Sequence, residues 1–559
     1  MPTHDLSAPP GAPPPGASPP DATDAGRSRV GLAIAALRRV PLPVWAATML
    51  HVAIMVGFVF LYPAYWAFDE SGHISRVISA EHGDLTPIPD AYPYVSGVGN
   101  SYQFFSVPDQ PPFINYVAPS RAVRPSFDKL GGATPYIVPG ALPDQLAQHP
   151  PGYYAFAAGV LRAIPNSAHF AWDQTIALLR LLDVLLLAPL PLICWAIARR
   201  FARPGIAVAA AFAPALVPGL ERLGASVNND DLLILLTSVF LLALSRVVTG
   251  DRSVRTATVV GASIALALLV KGFALVLPPV ALLAYLVAAR RSRQAPPWKS
   301  VAVVAVGCAL GGLWWLHNLI VYGVVQPSGL TPAQADQVWP PLPAGVHGHF
   351  IPFLQRISDV LNANFWGGLG LPSPPNLPTG MSVTATVLVL GLAILGLSHR
   401  QNFAPLGVLV LPVLLILGPS LLHGWHLFQR TGQPAGVQGR YLYPGFVALV
   451  AVVACGADRL VDRWSVEAER FAPLVACASA VLLEISAVAV VVAHSWLPPG
   501  SSVGRARDVL RSIGDHSPFA GSATIGLLGL VAVAVAAAFV VTAITAFTRR
   551  MPVADAPPA

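Results

Sequence analysis

Two adjacent carboxylates, Asp69 and Glu70, directly follow a long apolar run and are the first residues of the sequence suited to proton transfer. On a helix, Asp69, His73 and Arg76 would share one face. Apolar residues over 74–78 would let that helix lie on a membrane, where burial and nearby cations set the pKa of Asp69. We therefore expect both carboxylates to be catalytic, with Asp69 as a general base. In the alternative interpretation, Asp69 only caps the helix and Glu70 only favours its positive end.

A second group of polar residues lies near the start of the next long apolar run. His149 opens a His-Pro-Pro turn before Tyr153, and the two either border a substrate pocket or simply hold the loop at the membrane interface. Arg180 lies inside the apolar run, where a charge costs about 2.5–3.5 kcal/mol. Spacing of three residues lets Arg180 and Asp183 neutralise each other, whereas an unpaired Arg180 would bind substrate.

Further candidates stand at the ends of later apolar runs. Asn229 and Asp230 belong to the polar run 228–231, which either caps the next helix or lines a polar cavity. Lys271 and Arg440, the latter followed by Tyr441, are cations on the membrane side that carries few of them. Either they extend toward water from the membrane edge, or they bind an anion such as a lipid phosphate.

Composition decides which elements must position these residues. Of the 559 residues, 54% are hydrophobic and 11% are charged, against about 25% charged in soluble domains. This excludes a soluble or disordered chain and indicates a multi-pass membrane protein. The net charge of +7 is explained by arginines in cytoplasmic loops, so no nucleic-acid partner is expected. The four cysteines have no metal-ligand or redox spacing.

Hydropathy predicts an all-α polytopic protein of about 12 transmembrane helices with both termini in the cytoplasm, because arginines cluster in alternate loops. Strands are not expected, since a barrel needs alternating segments. The predicted spans are 43–62, 172–198, 204–220, 231–248, 254–270, 272–290, 299–320, 381–398, 403–422, 441–457, 471–493 and 523–547.

The predicted organisation has four parts. Residues 1–40 form a cytoplasmic tail, disordered and Pro-rich over 1–26, and 551–559 form a second tail. Residues 41–320 form a core with a long first external loop, 63–171, that bears interfacial helices, one of them near 150–165. Residues 321–550 add further spans and shorter external loops. Because most of the polar residues lie in the predicted external loops, we expect any chemistry to take place at the outer face of the membrane.

In their order along residues 45–445, these motifs resemble the GT-C superfamily of membrane glycosyltransferases, which includes aminoarabinose and protein O-mannosyl transferases. The last motif is most similar to an uncharacterised bacterial branch with a QGRYL-like sequence. The motifs are Asp69-Glu70, His149-Pro150-Pro151 with Tyr153-Tyr154, Arg180, Asn228-Asn229-Asp230, Lys271-Gly272-Phe273 and Gln438-Gly439-Arg440-Tyr441-Leu442.

The resemblance implies transfer of a sugar from a polyprenyl-phosphate donor to an extracytoplasmic glycan, lipid or protein acceptor, typically with inversion. It implies a multi-pass protein of the bacterial inner (plasma) membrane, with Asp69 in the usual catalytic position. In this hypothesis Lys271 and Arg440 stabilise the departing phosphate. No cofactor is required by the sequence and no metal ligands are assigned, although members of the superfamily differ in their use of a divalent cation. The substrate-binding candidates are His73, His149, Tyr153, Arg180, Asn229, Asp230, Lys271, Arg440 and Tyr441.

Two other functions remain open at this stage. A transporter or flippase of a lipid-linked sugar would suit 12 spans, but the sequence shows no similar halves. A glycan ligase or polymerase that uses diphosphate-linked donors would be expected to carry its dominant external loop late in the chain. The sequence names neither the sugar nor the acceptor.

Overall fold

The computed structural model describes residues 38–104, 118–369, 376–462, 466–497 and 505–548. The chain divides into two units, Met1–Pro41 and Leu42–Ala559. Only residues 38–41 of the first unit are described. The predictions of a disordered segment over 1–26 and of a tail over 551–559 therefore lie outside the described residues.

Within the described ranges the second unit is helical and forms no strand, which confirms the predicted all-α class. The helices are α1 Leu42–Leu61, α2 Glu70–Glu81, α3 Ser96–Ser101, α4 Gly152–Ala163, α5 Trp172–Leu187, α6 Leu190–Ala198, α7 Pro204–Ala210, α8 Pro218–Leu223, α9 Asn229–Val248, α10 Val254–Leu268, α11 Leu277–Ser292, α12 Trp298–Tyr322, α13 Pro332–Val338, α14 Phe350–Trp366, α15 Thr379–Leu397, α16 Arg400–Thr431, α17 Phe446–Val461, α18 Val466–Ser495, α19 Ala506–His516 and α20 Gly521–Thr548. Short 3₁₀ helices include Gln145–Gln148, Gly272–Val276 and Gly439–Gly445.

Ten helical segments among the described residues are long and apolar enough to cross a membrane. They are Leu42–Leu61, Trp172–Ala198, Asn229–Val248, Gly272–Ser292, Trp298–Tyr322, Thr379–Leu397, Arg400–Thr431, Gly439–Val461, Ala468–Ser495 and Gly521–Thr548. A multi-span membrane protein is therefore confirmed, whereas the predicted count of 12 is not.

The two predicted spans that are missing from this set fail for different reasons. The segment 204–220 is divided into α7, a 3₁₀ turn at Pro214–Leu216 and α8. Proline removes a backbone donor and favours the first turn of a new helix, so Pro214 and Pro218 prevent one continuous helix. The segment 254–270 forms α10, which has only 15 residues where a span needs about 20.

The spans differ strongly in how much of their surface other helices cover. In the most apolar window of α1, 72% of the residues are buried, against 11% in each of Thr379–Leu397 and Gly521–Thr548. Apolar residues exposed on α15 and α20 have no protein partner and are suited to contact with lipid. The spans around α1 and α9 therefore form the interior, and α15 and α20 lie at the periphery.

Small residues allow α10 and α12 to pack at very short range. A Cβ atom on Gly307 would overlap the backbone of Gly261, and one on Gly311 would overlap the backbone of Ala265. In membranes, where lipid is as apolar as leucine, close backbone approach of this kind drives helix association. The pair holds the end of α10 in place, and Lys271 follows that end.

The described part of the first predicted external loop contains the helices that position the candidate site. Helix α2 packs against α4, and α4 has only 12 residues, so it is too short to span a bilayer. The apolar residues Ile74, Val77 and Ile78 are buried. The expectation that they lie on the membrane surface is wrong, because they pack inside the protein.

Candidate functional site

Four charged side chains from four separate segments form one alternating chain of charge. The Asp69 carboxylate lies 2.5 Å from Nη2 of Arg440, and Asp230 Oδ1 lies 2.6 Å from Nζ of Lys271. Arg440 Nε is 3.9 Å from Asp230 Oδ2 and joins the two pairs. The arrangement brings together two cations and two anions, so the cluster is neutral overall before any ligand binds.

Asp69 is the accessible member of this cluster. Its side chain is 29% exposed, whereas that of Arg440 is 6% exposed. Burial acts to raise the pKa of Asp69, but the Arg440 guanidinium and the Lys271 ammonium hold it below its usual value. The carboxylate is therefore ionised over a wide pH range and able to accept a proton, and it faces solvent enough for a substrate to reach it.

The backbone of Asp69 has an unusual conformation. Its φ is 61° and its ψ is 4°, in the left-handed region, which costs a residue with a Cβ about 1–2 kcal/mol. The residue stands at the N-cap of α2, yet its side chain makes no capping hydrogen bond. The capping interpretation of Asp69 is therefore wrong, and the strained backbone directs the carboxylate toward Arg440 instead.

Asp230 and Asn229 occupy the first turn of α9. Asn228 caps this helix, since its side chain accepts a hydrogen bond from the Asp230 amide at 2.9 Å. Capping therefore uses one residue of the polar run, and the Asp230 and Asn229 side chains are directed to Lys271, at 2.6 and 3.4 Å. The capping interpretation is therefore correct for Asn228, whereas the interpretation that the run lines a polar cavity stays a prediction.

Lys271 is almost completely buried in this cluster. Burial lowers its pKa, and the Asp230 carboxylate acts in the opposite direction. Its ammonium lies 5.4 Å from the centroid of the Phe273 ring, and Tyr441 packs edge-on against that ring at 4.9 Å. These aromatic contacts define one wall of the cluster and favour a cation at this position.

Two histidines lie against the same charges. Burial lowers the pKa of His149 to about 3, and Lys271 acts in the same direction. Burial also lowers the pKa of His73 well below its usual value. Both rings are therefore neutral near pH 7 and can donate or accept hydrogen bonds without adding charge. His73 Nδ1 lies 3.1 Å from the Tyr154 hydroxyl.

Glu70 and Arg180 form a second ion pair, separate from the accessible cluster. Two hydrogen bonds of 2.7 and 2.6 Å join them, and their side chains are 0% and 3% exposed. Arg180 also donates to the backbone carbonyls of Val59, Tyr62 and Pro63. The Glu70–Arg180 pair thus holds the end of α1, the start of α2 and α5 together, while a catalytic role for Glu70 or a substrate-binding role for Arg180 stays a prediction.

Asp183 has a different partner from the one considered from sequence. The Tyr153 hydroxyl donates to its carboxylate at 2.8 Å, and the Asn228 amide donates at 3.3 Å. The alternative in which Arg180 and Asp183 neutralise each other is therefore wrong. Tyr153 is fully buried, and the bond from its hydroxyl to Asp183 joins α4 to α5.

Sequence reasoning missed Arg222 and Phe68. The guanidinium carbons of Arg222 and Arg440 lie 5.3 and 5.9 Å from the centroid of the Phe68 ring. Arg222 is 3% exposed, and among the described residues its Nε and Nη1 have no hydrogen-bond acceptor. The available signal was a charged pair, Glu221-Arg222, immediately after an apolar run.

A buried contact between Glu221 and His51 explains the orientation of the Arg222 side chain. Glu221 precedes it on α8 and lies 2.6 Å from Nδ1 of His51 on α1, with both side chains fully buried. Successive helical residues point about 100° apart, so attachment of Glu221 to α1 turns Arg222 toward Phe68. His51 was also missed, although it is a polar residue inside the first apolar run.

Among the described residues, no group of three or more His, Cys, Asp or Glu side chains is placed to hold a metal ion. The four cysteines, Cys194, Cys308, Cys455 and Cys477, form no disulfide. The alternating cluster has the chemistry of an anion site beside a base, because each cation keeps donors that its carboxylate partner does not use. Arg440 is the clearest case, since its Nε and Nη1 have no hydrogen-bond acceptor among the described residues.

Comparison with known proteins supports the resemblance to membrane glycosyltransferases that the sequence motifs indicate. Residues 148–315 match the family model of the dolichyl-phosphate-mannose-protein mannosyltransferases. This match includes His149, Tyr153, Arg180, Asp230 and Lys271, and it confirms the resemblance to GT-C glycosyltransferases over that part of the chain. No match was found among the curated proteins.

Two solved structures are similar to the chain at low sequence identity. ArnT from Cupriavidus metallidurans bound to undecaprenyl phosphate is 15% identical, with a TM-score of 0.43, and the match covers 90% of this chain and 77% of that one. The Archaeoglobus fulgidus oligosaccharyltransferase in complex with Zn and sulfate is 13% identical, with a TM-score of 0.39, and the match covers 86% of this chain and 57% of that one.

Proposed function

We propose that this protein is a membrane-embedded glycosyltransferase that moves a sugar from a polyprenyl phosphate to an acceptor hydroxyl, with inversion at the anomeric carbon. The observation that carries the proposal is the pairing of Asp69 with Arg440 beside Lys271 and Asp230. An accessible ionised carboxylate next to two buried cations supports a base beside a phosphate site. The family match over 148–315 supports the reaction class.

The proton transfer falls to Asp69. An acceptor hydroxyl attacks the anomeric carbon and gives its proton to the carboxylate, which is ionised because Arg440 holds its pKa low. The bond between the anomeric carbon and the phosphate oxygen breaks, and the electron pair leaves with the polyprenyl phosphate. General base catalysis of this kind contributes about 10²–10⁴ in rate.

The leaving phosphate gains negative charge as that bond breaks. Arg440 can bind it without releasing Asp69, because Nη2 bonds the carboxylate while Nε and Nη1 have no hydrogen-bond acceptor among the residues that the structure describes. Lys271 lies at the other end of the same chain of charge. Preorganised cations aimed at developing charge stabilise the transition state more than the ground state, and Arg222 behind Phe68 adds a third positive charge.

The proposed setting is the outer face of the bacterial inner membrane. Apolar grooves between spans would hold the isoprenoid tail, and the acceptor would approach from the aqueous side through the exposed edge of Asp69. The acceptor is a glycan, a lipid or a protein. The substrate-binding roles of His73, His149, Asn229 and Tyr441 follow from their positions around the charged cluster and belong to this proposal.

The test is a transfer assay on the full chain in nanodiscs, with a panel of polyprenyl-phosphate hexoses and pentoses and mass analysis of the acceptor fraction. Asp69→Asn should lower kcat about 10²–10⁴-fold. Asp84→Asn is the matched control, because Asp84 lies in the same loop and is exposed. Transfer by Asp69→Asn at the wild-type rate would refute the base. Movement of the lipid-linked sugar across the bilayer without transfer would favour a flippase.

Arg440→Ala tests the phosphate site separately. Binding of polyprenyl phosphate alone should weaken, since the guanidinium supplies two unused donors to the anion. Unchanged affinity would remove Arg440 from the phosphate site while leaving Asp69 as the base.

A further inference from the structure

A small cavity of about 160 Å³ lies between the first loop and the end of α12. Its lining residues come from three segments that are distant in sequence. They include Gln148, Trp314, His317, Asn318 and Tyr322. None of the described lining residues is an Asp, Glu, Lys or Arg, so the cavity is suited to a neutral ligand and not to a phosphate.

One wall of this cavity is aromatic. The Trp314 and His317 rings are stacked, with centroids 5.8 Å apart and 24° between their planes. Tyr322 meets His317 edge-on at 6.4 Å. Flat rings of this kind offer an apolar face of fixed geometry to a ligand that has an apolar face of its own.

Two of the lining residues have buried polar atoms without a hydrogen-bond partner in the described part of the chain. Trp314 Nε1 is a buried donor and Asn318 Oδ1 a buried acceptor, and neither has a hydrogen-bond partner among the described residues. Asn318 is 1% exposed, and its amide nitrogen is already used by the Val325 carbonyl at 3.1 Å. Buried polar atoms are normally satisfied, so this donor and acceptor point to a ligand that has hydroxyl groups.

The cavity is connected to the candidate site through neighbouring residues. Gln148, in its lining, immediately precedes His149. Gln326 donates to Gln148 at 3.4 Å, and its side chain packs so closely on Gly272 that a Cβ there would collide with it. Gly272 follows Lys271 directly. A ligand in the cavity would therefore lie next to the segments that carry two site residues.

We propose that this cavity is a sugar subsite, which binds a neutral pyranose ring of the acceptor against Trp314 and His317. The inference rests on the proposed function for the identity of its ligand as an acceptor. A pyranose matches the lining because one face of the ring presents C–H groups to the aromatic wall, and its hydroxyls both accept and donate hydrogen bonds. The absence of charge in the lining selects against the donor phosphate.

Saturation-transfer NMR tests the subsite on the full chain in phosphatidylcholine nanodiscs, with methyl glucopyranoside and methyl mannopyranoside as probes. His317→Ala removes half of the stacked wall at an exposed position, and Trp314→Phe removes the indole donor. Each should raise the Kd of the bound probe about two- to tenfold. Trp298→Phe is the matched control, because Trp298 is 66% exposed at the other end of α12 and should leave binding unchanged.

Three outcomes would overturn the proposal: neither glycoside binds the wild type, His317→Ala and Trp314→Phe both bind the glycosides as tightly as the wild type does, or glycerophosphocholine displaces the probe, which would identify a lipid headgroup site. Asp69→Asn should bind the glycosides like the wild type. With any donor that the wild type turns over, Trp314→Phe should raise the acceptor KM and leave the donor KM unchanged. Glycoside binding without any donor turnover would refute the proposed function and leave the cavity as a sugar site.

Discussion

Replacement of Arg440 by glutamine should change the pH at which Asp69 loses its ability to act as a base. In the protein, burial acts to raise the pKa of Asp69, and the Arg440 guanidinium, 2.5 Å away, acts together with Lys271 to hold that pKa below its usual value. Glutamine keeps much of the length of the side chain but removes the charge. Burial then acts with less opposition, so the pKa of Asp69 should rise.

The expected size of this change follows from the geometry. An arginine next to an aspartate lowers its pKa by about 1–3 units. The Asp69 side chain is 29% exposed, and Lys271 still acts on it in the variant. Solvent exposure and the remaining Lys271 charge both make the pKa of Asp69 less dependent on Arg440. We therefore expect this pKa to rise by about 1–2 units in Arg440→Gln, the lower part of that range.

The assay is the pH dependence of kcat/KM, whose acid limb reports the pKa of the base in the free enzyme. In the proposed mechanism, activity requires the ionised Asp69 carboxylate and is lost as the pH falls through its pKa. In the wild type this loss should occur below the usual value for aspartate, and in Arg440→Gln it should occur at higher pH. Weaker binding of the donor lowers kcat/KM at every pH without moving the acid limb. The effect of the substitution on donor binding can therefore be distinguished from its effect on the pKa of Asp69.

Arg440→Lys is the control, because it retains a positive charge near Asp69 and should keep the acid limb close to that of the wild type. The rate of Asp69 labelling by a carbodiimide, which modifies protonated carboxyls, gives a measurement that does not need turnover. An acid limb at the same pH in wild type and Arg440→Gln, with unchanged labelling, would refute the assignment of Arg440 as the group that holds Asp69 ionised.

Three further predictions concern the framework of the site. Glu70→Gln or Arg180→Gln should lower the free energy of unfolding by about 3–5 kcal/mol, because each leaves an uncompensated buried charge. Urea titration in detergent measures this free energy, and a loss below about 1 kcal/mol would contradict a buried pair. Tyr153→Phe should lower the free energy of unfolding by about 1–3 kcal/mol, because Asp183 loses its hydroxyl donor. The same titration tests this prediction, and wild-type stability would show that the bond contributes nothing. Gly307→Leu should lower the thermal midpoint sharply, since its backbone contacts the facing helix; an unchanged midpoint in a thermal scan would contradict that close packing.

The membrane-spanning character and the helical class could be predicted because they depend on composition and on the length of apolar runs. The count of spans could not, for reasons visible in particular residues. Pro214 and Pro218 divide an apolar segment that hydropathy treats as one helix, and α10 ends at Leu268 before it reaches the length of a span. Hydropathy averages over a window and does not register where the backbone must turn.

The sequence by itself determined the types of residue that could act and their order along the chain: a carboxylate after the first span, then Asp230, Lys271 and Arg440. Only the tertiary structure decided which charges meet. Arg180 bonds Glu70, 110 positions away, and not its neighbour Asp183, and Arg440 bonds Asp69 across 371 positions. The reason is physical: an ion pair forms between charges that packing brings within a few ångströms in a poorly hydrated interior, and separation along the chain does not fix that distance.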